Sequence, residues 1–265
     1  MSNVFTFDIY EELLQAGLGA DYEHITVREY LSADELPEQF VIHRHDVDRK
    51  PENALTMARL EARHSISSTY YFRTIDKTFQ PSMMREIEEL GHEVGYHYED
   101  MDRASGNVED AHRIFNEELA KIRQHVSIDT VCMHGNPLTN YDNRNMWDAN
   151  IGFGEYGLLG EAYLSMDFTD ITYFSDTGRT WKDGALKIKD HTVGEDEKSI
   201  QASSTSDLCS LLLSRSVDKA CLLSHPNRWA DSQMEYFVEL SKDTATNIGK
   251  VVLGQLKDNN RRTNL

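Results

Sequence analysis

Short apolar runs that end in polar or charged residues alternate along this chain with stretches in which apolar positions recur every three or four residues. Runs of the first kind fit buried strands, and recurrences of the second kind fit helices. Phe5 to Ala16 carries Phe7, Tyr10, Leu13 and Leu14 on one face and stops at Gly17, which predicts a capping helix. Ile25 to Leu31 fits a strand or a short helix equally. Phe40-Val41-Ile42, entered after Leu36-Pro37, predicts a buried strand that runs into a charged loop, and Pro51 opens a helix with Ala54, Met57, Ala58 and Leu60 inward. Ser67 to Phe72 predicts a second strand. Pro81 opens a helix bearing Met84, Ile87 and Leu90, with Gly91 as its stop, and Glu93 to Tyr98 predicts a third strand. Val108 to Val126 is the clearest helix, and Ile128 to Met133 follows as a fourth strand. Such alternation requires parallel strands with covering helices, an α/β class.

The pattern blurs beyond Tyr141, where Gly152 to Gly160 is glycine-rich with Trp147 packed beneath it. It sharpens again at a strand from Ile171 to Phe174, a helix from Asp207 to Leu213 capped by Ser206, and a strand from Ala220 to Leu223. A helix from Asp231 to about residue 256 and a polar tail close the chain. No repeat or linker interrupts it, so residues 1–265 are expected to form a single domain.

Composition narrows the partners. A net charge of -18, from 45 acidic against 27 basic residues, argues against nucleic acid and against an anionic membrane. A neutral carbohydrate or small-molecule substrate remains open, as does a homo-oligomer. Cys132, Cys209 and Cys221 are scattered without a CxxC pair, so buried thiols are expected rather than a disulfide framework or a thiolate metal knuckle. The N-terminus lacks a basic stretch followed by an apolar core, and no apolar run approaches the ~18 residues of a membrane span. The expectation is a cytoplasmic protein.

The chemistry gathers at strand ends. Asp46 and Asp48, Arg73, His97, His134, Asp176 and His225 each fall at or just beyond the end of a predicted strand. Parallel strands bring those ends to one rim, where active sites of α/β folds sit. Carboxylates and imidazoles without thiolates suit a divalent cation, zinc first, with cobalt, manganese or nickel as alternatives. Such an ion polarises a carbonyl and acidifies water, while a carboxylate takes a proton and an imidazole gives one.

Five stretches, in order, resemble the motif set of the polysaccharide deacetylases, carbohydrate esterase family 4. His45-Asp46-Val47-Asp48 is similar to the family's first motif, which usually has adjacent aspartates. Gly91-His92-Glu93-Val94-Gly95-Tyr96-His97 resembles the metal-binding histidine motif. His134-Gly135-Asn136-Pro137 stands where a Pro-containing motif is expected, Ser175-Asp176 to Trp181 resembles the Asp/Trp motif, and Leu222-Leu223-Ser224-His225-Pro226 resembles the Leu-x-His motif. The likeness covers about residues 40–230 and implies a distorted (β/α) barrel that hydrolyses N-acetyl, or less often O-acetyl, groups on sugars.

The resemblance also implies roles: Asp46 as general base, Asp48 and His97 as metal ligands, His225 as general acid. The spaced Asp-x-Asp leaves base and ligand exchangeable between Asp46 and Asp48. Met101 stands where the family places a second histidine ligand, so another group must complete the set: His134 first, then Glu99 or Asp100. The third motif lacks the arginine that orients the base; Arg73 is either its substitute or a surface or ion-pairing residue, and Asp176 is expected as a further catalytic residue. Tyr98 and Asn136 are expected to contact substrate, and Trp181 either to stack on a sugar or to pack in the core. Two alternatives stand beside a metal-dependent deacetylase: a catalytically silent barrel that binds carbohydrate or a partner, and a hydrolase of a non-sugar C–N bond.

Overall fold

A computed structural model describes residues 4–148, 151–184, 187, 189–190, 192 and 200–241. Eight strands build one sheet: β1 (Glu23–His24), β2 (Phe40–Val47), β3 (Thr69–Phe72), β4 (Glu93–Tyr98), β5 (Thr130–Met133), β6 (Gly160–Glu161), β7 (Thr172–Ser175) and β8 (Lys219–Ser224). The order is β6-β5-β4-β3-β2-β8-β7, with β1 beside the first residues of β2, and every pairing is parallel. β6 and β7 do not pair with each other among the described residues, so the distorted (β/α) barrel is open between them. Parallel neighbours need long crossovers, and the intervening helices supply them. These are α1 (Phe7–Gly19), α2 (Val27–Ser32), α3 (Pro51–Arg63), α4 (Pro81–Glu89), α5 (Asp100–Arg103), α6 (Val108–Ile122) and α7 (Thr205–Leu213).

β2 is the hub, with β1 and β3 against successive halves of one edge and β8 along the other. It is longer than its apolar run: the stretch expected as a charged loop continues the strand to Val47, and all eight residues are buried. Side chains alternate across a strand, so Arg44 and Asp46 share one face while His43 and His45 lie on the other. His45 Nε2 is 2.7 Å from Glu61 Oε1 on α3, and the Tyr10 and Tyr70 hydroxyls donate to the same carboxylate. Burial opposes charge on Glu61, yet His45 above all other neighbours holds its pKa down. His43 Nε2 lies 3.2 Å from His24 Nδ1. This polar layer between the sheet and α1 and α3 is part of the core, not of the rim.

Local chemistry explains the remaining differences from the sequence expectation. The ambiguous segment is helical (α2) because Thr26 and Glu29 form a reciprocal capping box. Ser204, not Ser206, caps α7, accepting from the Asp207 N–H at 3.1 Å. α4 stops where Gly91 takes φ +96°, a conformation that glycine alone adopts cheaply. Residues 233–241 begin the C-terminal helix, whose expected continuation to about 256 lies outside the described residues. Trp147 packs on Phe153 with ring centroids 4.5 Å apart. None of the three cysteines forms a disulfide; Cys132 and Cys221 are buried and Cys209 is half-buried. Among the described residues no helix is long and apolar enough to cross a membrane.

Candidate active site

The carboxyl ends of β2, β4, β5, β7 and β8 deliver Asp46 and Asp48, His97, His134, Asp176 and His225 to one pocket. Its floor is Asp46, Arg44 and His97. Arg44 grips both Asp46 oxygens, Nε to Oδ1 at 3.1 Å and Nη2 to Oδ2 at 2.8 Å, and the pair is almost wholly buried. The Arg44 guanidinium also lies over the Tyr163 ring, 4.2 Å from its centroid. At the mouth stands Asp48, whose side chain is 23% exposed. It follows β2 immediately, its N–H turned back to the Asp46 carbonyl at 3.1 Å.

Three imidazoles present Nε2 to Asp48. His97 Nε2 is 3.5 Å and His134 Nε2 is 3.4 Å from Oδ1, while His225 Nε2 is 4.0 Å from Oδ2. His97 Nε2 is also 3.7 Å from Asp46 Oδ2. Two rings are fixed from behind. His97 Nδ1 donates to the Cys132 carbonyl at 3.0 Å, and because a carbonyl only accepts, that nitrogen carries a proton. His225 Nδ1 donates to Asp176 Oδ1 at 2.6 Å, and the His225 N–H donates to Oδ2 at 2.9 Å. Asp176 is further held by Arg228 and by the Trp229 indole N–H, each at 2.9 Å.

Charge in the pocket follows from these contacts. Burial disfavours the Asp46 carboxylate, but Arg44, then His97, hold its pKa below the ordinary value. Burial likewise disfavours Asp48, and His134 and His97 overcome it. Asp176 stays low, against its burial, chiefly through Arg228 and His225. The pKa of His97 is raised: burial lowers it, yet Asp46 and Asp48 outweigh that. His134 is pushed down to about 4 by burial, only partly opposed by Asp48. Ionised carboxylates beside a neutral imidazole make a cation-attracting set.

Two contacts of the expected donor set, both made by Asp48 Oδ1, have the spacing of cation ligands. Two ligand atoms each ~2.0–2.1 Å from one tetrahedral centre lie ~3.3 Å apart, close to the 3.4 and 3.5 Å that separate Asp48 Oδ1 from the two imidazole nitrogens. Asp48 Oδ1 is moreover a buried acceptor without a hydrogen-bond partner among the described residues, an unmet demand that a cation would satisfy. Asp46, His97 and Cys132 also bring ligand atoms within 4.8 Å of one another. That group is the poorer seat, because Arg44 occupies both Asp46 oxygens and burial holds the Cys132 thiol in its protonated form.

Several expected residues lie elsewhere. Arg73 does not orient Asp46: it bonds Glu99, Nη2 to Oε2 at 2.6 Å, and Arg44 occupies the position next to Asp46. Trp181 is fully buried, its indole N–H donating to Thr205 Oγ1 at 2.9 Å, so it cannot stack on a sugar. Tyr98 is likewise fully buried and accepts from the Trp147 indole; alternation on β4 points it away from His97. Asn136 is half-buried in the loop after His134 and bonds its own turn through the Leu138 N–H at 3.0 Å. Asp100 is turned to the Tyr96 hydroxyl and pushed up to about 7 by burial, which removes it from the ligand set. Met101 is core. Asp176 reaches the pocket only through His225, as a positioning residue.

No protein-family model matches the chain, and no curated protein matches it. Eight chains of solved structures do. They include PdaA of Bacillus subtilis, a family 4 carbohydrate esterase, with 12% identity and TM-score 0.42 over 87% of this chain and 83% of that one. The Xyl-CE4 domain of a multidomain xylanase from the hindgut metagenome of Trinervitermes trinervoides matches with 14% identity and TM-score 0.40, over 80% and 85% of the two chains. A CE4 family pseudoenzyme from Bacillus anthracis matches with 12% identity and TM-score 0.38 over 80% of this chain. The chain spans only 63–65% of the length of that pseudoenzyme and of its mutant with restored enzymatic activity. Solved structures similar to this chain thus include members of the family whose motifs its sequence resembles.

Proposed function

We propose that this chain is a cation-dependent hydrolase that removes an acyl group, acetyl first, from the nitrogen of an amino sugar or of a small N-acyl compound. The observation that carries this reading is the convergence of three imidazole Nε2 atoms on Asp48, with Asp46 held ionised by Arg44 beneath them. Asp48, His97 and His134 would hold the cation. When bound, it supplies Lewis-acid polarisation of the acyl carbonyl and a lowered pKa for water.

The side chains do the rest. Asp46, ionised and fixed by Arg44, accepts the proton of the attacking water at Oδ2, the oxygen nearer His97. Its place behind Asp48, with both oxygens committed to a guanidinium, favours Asp46 as base and Asp48 as ligand. Asp176 holds the His225 Nδ1–H, so Nε2 faces the pocket and, once protonated, gives its proton to the leaving amine. His225 and Asp176 follow the logic of an imidazole–carboxylate pair, in which the carboxylate orients the ring and stabilises its charged form.

Metal analysis together with acetate release from a panel of N-acetyl sugars tests the proposal. About one cation per chain and acetate release that Asp46→Asn abolishes are expected. Less than about 0.1 cation per chain after reconstitution with Zn²⁺, Co²⁺ or Mn²⁺ would sink the metal part. Cation binding without turnover on any amide leaves a binding protein built on the same pocket.

A further inference from the structure

We infer that Glu99, clamped by Arg73, is the positioning carboxylate of His134, the counterpart across Asp48 of the Arg228–Asp176–His225 series. The inference rests on the proposed cation seat and concerns how this chain completes it without a histidine at Met101.

The two series are laid out alike. In one, Arg228 Nη1 (2.9 Å) and His225 Nδ1 (2.6 Å) meet on the same oxygen, Asp176 Oδ1, and His225 Nε2 faces Asp48 Oδ2. In the other, Arg73 Nη2 (2.6 Å) and His134 Nδ1 (3.5 Å) meet on Glu99 Oε2, and His134 Nε2 faces Asp48 Oδ1. His134 and His225 therefore face opposite oxygens of Asp48, Oδ1 being shared with His97, and each of these two imidazoles is backed by a carboxylate that an arginine holds. The side chains of Arg73, Glu99 and His134 are 17%, 13% and 14% exposed, so water competes little for these contacts.

They differ in tightness. His225 is already bonded to its carboxylate, whereas His134 Nδ1 is buried without a hydrogen-bond partner among the described residues. Leaving such a group unmet costs about 1–3 kcal/mol. The backbone of His134 is pinned, its N–H donating to the Tyr98 carbonyl at 2.7 Å and its carbonyl accepting from Asn143 at 2.8 Å. The ring is what remains to turn. Ligation through Nε2 fixes the proton on Nδ1, and a movement of roughly half an ångström then closes Nδ1–H···Oε2 to hydrogen-bond length. Glu99 would thus select the tautomer that leaves Nε2 free as a ligand atom, and would fix the orientation of the ring. A carboxylate behind a metal-ligating imidazole does this generally, and removing it weakens metal affinity about 10–100-fold.

The test is Zn²⁺ affinity of the purified full chain, read by competition with a chromophoric chelator, beside urea unfolding of each variant. Glu99→Gln is expected to bind Zn²⁺ about 10–100-fold more weakly than the parent. Arg73→Gln breaks the same ion pair but leaves the carboxylate, and should stay within about threefold of the parent. On Zn²⁺ addition, the parent should gain one protected imidazole N–H proton resonance that His134→Ala lacks and Glu99→Gln shows shifted. Glu99→Gln binding as tightly as the parent overturns the inference. So does an equal loss in Arg73→Gln, because Glu99 would then matter only as an ion-pair partner. A folded parent that binds no Zn²⁺ removes the seat and the inference together. Zn²⁺ binding with no deacylation bears on the proposed reaction alone.

Discussion

Arg44 makes the sharpest demand on experiment, because its partner is a carboxylate that burial alone would not leave charged. Substituting Arg44→Met keeps an aliphatic stem but removes the guanidinium, and with it the contact over Tyr163, from a pair that is 0% and 5% exposed. Breaking a buried pair by deleting one member costs about 3–5 kcal/mol. The pH dependence is more telling than the size. In the parent, Asp46 has a folded pKa below its unfolded value of about 3.9, so its contribution is present above that value and is lost as pH falls through the folded one. In Arg44→Met burial acts with His97 and His225 against it, and the folded pKa is expected to rise above the unfolded one. The sign then reverses: the Asp46 contribution is intact below about pH 4 and is lost as pH rises through the folded value. The deficit against the parent should therefore grow with pH, by up to about 1.4 kcal/mol per unit, until Asp46 is ionised in both. Urea unfolding at pH 5, 6, 7 and 8 with an unchanged slope measures it. The double variant Arg44→Met/Asp46→Asn, which buries no lone charge, should recover much of the loss. A flat deficit under about 1 kcal/mol, or a double variant worse than the single one, would refute this reasoning.

Three further outcomes follow from the same contacts. Asp176→Asn should lower kcat by about 10²–10⁴-fold with little change in KM or cation content, because it disturbs His225 without touching the proposed ligands; steady-state kinetics beside metal analysis reads this. Glu61→Gln should cost about 3 kcal/mol at neutral pH. Because the folded pKa of Glu61 is depressed, the gap from the parent should narrow as pH drops below about 4.3, which acid unfolding of both proteins would reveal. Trp181→Phe should lose about 1–3 kcal/mol of stability through the Thr205 bond and packing, yet leave KM within about twofold; a large rise in KM would place Trp181 in contact with substrate after all.

The strands that end at His97, His134, Asp176 and His225 were readable because each is a short run of apolar or β-favouring residues that stops in a polar group. Parallel order then forces those ends onto one rim. β2 was misjudged for the opposite reason. Its second half is polar on both faces, and a strand whose buried partners are Glu61 on one side and His97 on the other shows no hydrophobic period. The period of two was nevertheless there in Arg44-x-Asp46-x-Asp48, and it could have named Arg44 as the partner of the base in place of Arg73. Trp181 and Tyr98 show the limit of residue type: an aromatic beside a motif reads the same in sequence whether it faces ligand or core. β6, with two residues, is too short to leave any pattern.

β2 and β8 lie side by side in the sheet but far apart along the chain, Phe40 opposite Lys219 and His45 opposite Ser224. Contacts of such sequence separation are slow to form. A ribosome-bound chain that has not yet released residues 219–225 has neither the mate for one border of β2 nor the imidazole that completes the pocket. The pocket is therefore completed only after Lys219–His225 has emerged, and a polypeptide cut short before Lys219 would present a bare strand border, prone to stick to its neighbours.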